Sequence, residues 1–92
     1  MANVRGKSLK AVVRDVAEGY VTVNPIFLKS FDAGTLRDFY GEMSKVQIEI
    51  RSEKFPTHDV AAIRNRNLRL QRIYSAVMIT RNFARERRIL LS

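Results

Sequence analysis

Apolar residues recur along most of this chain at intervals of three and four, the spacing of helices that bury one face. From Ser8 to Glu18 the apolar positions are Leu9, Val12, Val13, Val16 and Ala17, with Ser8 placed as an N-cap and Gly19 just past the end. Tyr20-Val21-Thr22-Val23 is rich in strand formers, so a β-hairpin competes with helix over residues 9–23. Strict alternation fails across 9–18, which favours helix there. Asn24-Pro25 pairs a capping residue with a first-turn proline and predicts one or two helical turns over 25–31.

Leu36, Phe39, Met43, Val46 and Ile50 form the seam of a second, longer helix at about 33–54, widened by Tyr40. Asp32 or Thr35 can cap it, and Phe55-Pro56 ends it. Gly41 inside it reads as a close backbone approach or as simple tolerance. A third helix is predicted over about 57–90, with Thr57 as its cap. Ile63, Leu70, Ile73, Tyr74 and Val77 share one face of it, whereas Leu68, Ile79 and Phe83 lie nearly opposite. Asn67, at the edge of the first line, suits a register-setting role. Two apolar lines on one helix predict burial on two sides, so the Leu68–Ile79–Phe83 line is expected to meet the N-terminal segment or another subunit.

The predicted fold is therefore mainly α: a long antiparallel helical hairpin, about 33–54 and 57–90, with a short N-terminal helix or strand element packed on it. Residues 1–7 are polar and expected to be flexible. At 1.5 Å per residue the two long helices would measure ~33 and ~51 Å, leaving the stretch from Ile79 onward as an overhang of ~18 Å. At that point the first apolar line turns basic, as Arg81, Ala84, Arg85 and Arg88. A chain of 92 residues makes one small domain at most, burying roughly 60–65% of its unfolded surface.

Charge sharpens this picture. Of the net +8, residues 57–92 carry +6, from eight Arg against Asp59 and Glu86. Arginine suits phosphate because its planar fork donates paired hydrogen bonds and can stack on bases. Arg81, Arg85 and Arg88 share a face with few acids nearby and are the leading binding candidates. Arg64, Arg66, Arg69 and Arg72 spread around the helix, and Asp38, Glu42, Glu49 and Glu53 of the preceding helix are available to pair with them. Of the aromatics, Tyr74 is read as core and Phe83 as the better placed for base stacking, although packing is the stronger reading for both.

Catalytic chemistry finds little footing. There is no Cys, and the single His58 beside Asp59 reads as a surface or capping residue. The four glycines stand singly, without a phosphate-cradling loop, and Glu49 and Glu53 are acids of a solvated face. No catalytic residue, metal or cofactor is expected. The absence of a signal-peptide pattern or an apolar run of ~18 residues points to an intracellular, cytoplasmic chain with no membrane span. The leading expectation is a non-enzymatic accessory protein that contacts DNA or RNA backbones. The alternative is an adaptor subunit whose basic helix docks on an acidic protein surface, and self-association or membership of a complex is expected in either case.

Overall fold

The computed structural model describes residues 3–4, 6–54 and 58–91. A two-strand antiparallel ladder comes first, β1 (Asn3–Val4) against β2 (Lys7–Ser8), with Asn3 opposite Ser8 and Val4 opposite Lys7. The sequence reading of residues 1–7 as a flexible end did not foresee this ladder. Four helices follow: α1 (Leu9–Glu18), α2 (Pro25–Leu28), α3 (Ala33–Ser52) and α4 (Val60–Glu86). The fold is mainly helical, with α3 and α4 packed side by side as expected and α1 against both. Among the described residues, no helix is long and apolar enough to cross a membrane.

Local chemistry sets the starts of these helices. Ser8 Oγ accepts from Ala11 N at 3.3 Å, Asn24 Oδ1 from Phe27 N at 2.8 Å and Asp32 Oδ1 from Thr35 N at 2.7 Å, each satisfying a donor that the first turn leaves orphaned. The Thr35 N–H also holds the Asp32 carboxyl below its ordinary range, helped by the Thr35 hydroxyl and Gly34 N–H. Thr57, expected to cap the last helix, lies outside the described residues. Asp59 is the cap that forms, its Oδ1 accepting from Ala62 N at 2.9 Å, and the helix starts at Val60.

The end of α1 settles the choice between helix and hairpin. Gly19 adopts φ 86°, the left-handed conformation that costs glycine least, and Tyr20 N and Gly19 N donate to the carbonyls of Asp15 and Val16. Residues 21–24 then run without regular structure, so the expected strand near 20–23 does not form; Val23 is buried. The apolar positions read from the sequence for α1 and α3 are all in the core: Leu9, Val12, Val13, Val16 and Ala17 on one, Leu36, Phe39, Met43, Val46 and Ile50 on the other. Phe27, Phe31 and Phe39 cluster with ring centroids 5.3–6.0 Å apart. Gly41 has open space beyond its Cα, so no close backbone approach explains it.

Two expectations about the last helix are corrected. Its fully buried stripe, Ile73, Ala76, Thr80, Phe83 and Ala84, takes one member from each predicted line, and Leu70, Val77 and Ile79 pack half-buried against the core. Three of its members, Ala76, Thr80 and Ala84, are small. The one polar member, Thr80, is fully buried with its hydroxyl donating to Ala76 O at 2.8 Å. Tyr74, read as core, is 58% exposed.

The projection expected from Ile79 onward is also not found. Thr80, Phe83 and Ala84 are buried, Ile89 and Leu91 pack against the core, and Arg37 Nε donates to Leu90 O at 2.7 Å. The sparsely packed end is the amino-terminal one, for residues 60–72 contain no buried side chain. The cause is register. The last turn of α3 and its cap are hydrogen-bonded to α4 at Arg66 and Arg69, about two turns into that helix.

Candidate nucleic-acid interface

The seven arginines picked out by charge separate into two groups with different chemistry. Arg66, Arg69 and Arg72 follow one another at three-residue intervals, and each reaches the carboxyl end of another helix. Arg66 Nη2 donates to Arg51 O at 3.3 Å, in the last turn of α3. Arg69 grips Glu53, the residue that closes α3, through Nη1 at 2.8 Å and Nη2 at 2.6 Å. Arg72 Nη1 donates to Ala17 O at 3.0 Å, in the last turn of α1. Helix ends leave carbonyls unsatisfied and carry partial negative charge, so cations with several donors are well matched there.

The Arg69–Glu53 fork has electrostatic consequences for both partners. Hydrogen bonding from Arg69 is the main cause that lowers the Glu53 carboxyl below its ordinary value, aided by the positive charges of Arg69 and Arg66. Hydrogen bonding to Glu53 raises the Arg69 guanidinium in turn. The other carboxylates offered for pairing are used differently: Glu49 lies 3.7 Å from Lys10 and 3.8 Å from Arg14, and Glu42 lies 3.4 Å from Lys45. Arg64 is exposed on the loosely packed end of α4, as are Asn65 and Asn67.

Arg81, Arg85 and Arg88, by contrast, come together. They line a shallow open groove of about 460 Å³ together with the apolar residues Ala84, Ile89, Leu90 and Leu91. The backbone after α4 creates it. Arg88 N donates to Arg85 O at 3.1 Å and Ile89 N to Ala84 O at 2.8 Å, a paired closure that turns the chain back over the helix end. Arg88 takes φ 57° there, in the left-handed region where glycine normally sits. The Arg37 hydrogen bond to Leu90 O then pins the turned-back segment to α3. Among the described residues no acid lines this groove, and their ion pairs involve none of its three arginines.

Phe83 packs, as the stronger of its two readings had it, whereas Tyr74 departs from its assignment to the core. Phe83 is buried, only 6% exposed, and the Arg87 guanidinium sits 4.4 Å from its ring centroid, a cation–π contact. Tyr74 faces solvent instead. Of the line expected to form an oligomer interface, Phe83 therefore belongs to the chain's own core. Leu68 and Ile79 border a cleft of about 440 Å³ shared with Val21 and Val23 of the α1–α2 connection. Leu68 keeps 42% exposure and Ile79 is half-buried.

Three residues that bear on this region escaped the sequence reading: Arg37, Arg87 and Met78. The four-residue spacing of Phe83 and Arg87 was an available signal, whereas the contact between Arg37 and Leu90 spans 53 residues and had none. His58 is exposed just before α4. Among the described residues, no three His, Cys, Asp or Glu side chains gather as a metal site would require. No protein-family model, no curated protein and no solved structure matches this chain.

Proposed function

We propose that the chain is a non-enzymatic nucleic-acid-binding accessory protein that holds backbone phosphates in the groove of Arg81, Arg85 and Arg88. One observation carries this reading: three exposed arginines converge on one groove that no carboxylate of the described residues lines. Arg66, Arg69 and Arg72 are spoken for by helix ends and Arg64 stands apart at the start of α4, so the arginines that gather on one surface are those at its end. Guanidinium forks match phosphate geometry, and such contacts give affinity with little sequence readout. The backbone at Arg88 points the same way, since a left-handed non-glycine residue is a conformational cost of the kind that collects at functional sites.

The test is a titration of short DNA and RNA across a salt series, with the parent and a variant carrying Arg81→Gln, Arg85→Gln and Arg88→Gln. Each phosphate contact releases counterions, so log affinity falls with log salt at ~0.9 per phosphate for duplex DNA. The triple variant should bind every sequence more weakly, with a salt slope smaller by ~2–3. Unchanged binding by the variant would remove the groove from the reading and favour docking on an acidic protein surface.

A further inference from the structure

The outward side of α4 carries Tyr74, Met78, Arg81 and Arg85 at successive steps of four, three and four residues, a single continuous stripe on a helix. Tyr74 is 58% and Met78 38% exposed, and both arginines are exposed. The stripe runs directly into the phosphate groove at Arg81. It is not residual core, because the buried face of the helix is the separate line through Ile73, Ala76, Thr80 and Phe83. A large aromatic ring left in water beside unpaired guanidinium groups is the pairing that single-strand binders use, rings for bases and cations for phosphates.

We infer that this stripe is a stacking platform and that the preferred ligand is a single strand of nucleic acid, one base lying on the Tyr74 ring with Met78 beside it and the following phosphates at Arg81 and Arg85. The inference rests on the proposed phosphate groove and adds the class of ligand. Paired bases in a duplex are stacked on one another and offer no free face to Tyr74, whereas an unpaired strand does. A second copy of this chain is the less favourable occupant, since twofold contact across the stripe would set Arg81 and Arg85 against their own counterparts with no acid between them.

The experiment compares a fluorescently labelled oligothymidylate with a short labelled duplex, using the parent, Tyr74→Ala, Tyr74→Phe and the triple arginine variant. Thermal melts confirm folding, which substitution at an exposed residue leaves intact. Tyr74→Ala should weaken oligothymidylate binding about tenfold, Tyr74→Phe should retain most of it, and duplex binding should be unchanged in both. The salt slope should stay at the parent value in the Tyr74 variants, because stacking releases no counterions. Equal oligothymidylate binding by Tyr74→Ala, or an equal loss on duplex, overturns the platform while leaving the groove standing if the arginine variant still loses affinity. Binding that survives in the arginine variant sinks the groove separately. A parent protein that binds neither ligand overturns both.

Discussion

The guanidinium of Arg72 occupies the space that a side chain at Gly19 would enter: a Cβ there would lie 3.1 Å from Arg72 Cζ. The same guanidinium donates to Ala17 O, so one long-range contact closes the end of α1 and ties it to the middle of α4. Gly19 is thus required twice, by its φ of 86° and by its neighbour. Gly19→Ala should cost about 1–2 kcal/mol from backbone conformation, with a smaller steric addition. Urea unfolding of the single variants and of the double variant with Arg72→Ala separates the two contributions. A steric share appears as coupling above about 0.5 kcal/mol, and a neutral Gly19→Ala contradicts the left-handed closure of α1.

The Arg69–Glu53 pair predicts a pH dependence of stability. Its carboxyl is lowered from an ordinary 4.5, so the stabilisation it gives is present above that pH and is lost as pH falls through the folded-state value. Glu53→Gln should be less stable than the parent near neutrality, and the two should converge on acidification. An acid limb survives in the variant because Asp32 is lowered too, from 3.8. Urea midpoints measured from neutral pH down to about pH 3 check this. A gap that widens in acid contradicts it.

Phe83 and Tyr74 distinguish the face of α4 that is buried from the one the apolar spacing indicates. Phe83→Ala should destabilise by about 3–5 kcal/mol, a large part of the total for a chain of this size. Tyr74→Ala should stay within about 0.5 kcal/mol of the parent. Reversal of that order in thermal or denaturant melts would return the seam to the Ile63–Tyr74 line.

Arg88→Gly should raise stability and lower binding together. Glycine removes a left-handed conformation that costs other residues about 1 kcal/mol and keeps the paired closure of the helix end. It also deletes one cation of the groove. Unfolding and salt-dependent titration on the same preparation measure both effects. A stabilised variant with parental affinity would assign Arg88 no part in binding.

Gly41→Ala is expected to stabilise by about 0.8–1 kcal/mol, the difference in helix propensity, because a Cβ there meets nothing within 4 Å. A loss of stability in urea would mean that this surface of α3 is covered in solution.

The sequence by itself determined the elements whose chemistry is local. Ser8, Asn24 and Asp32 start helices because a side-chain oxygen three residues before an orphaned N–H is a short-range device. Gly19 ends α1 for a similar reason, and α1 and α3 bury the residues their spacing names because each has a single apolar face. The arginine excess of the carboxyl third was equally plain. Only tertiary structure decided how α4 is oriented, since apolar residues occur on more than one of its sides. The buried side is the one that carries the small residues Ala76, Thr80 and Ala84 together with Ile73 and Phe83. Register followed from the same packing: the last turn of α3 meets α4 at Arg66 and Arg69, which placed the loosely packed end at residues 60–72 and folded the carboxyl end back over the core. That choice turned Arg66, Arg69 and Arg72 into helix-end partners and left Arg81, Arg85 and Arg88 facing solvent around one groove. Charge along a chain counts cations, but only their distances to carbonyls and carboxylates in the folded state determine which remain available to a ligand.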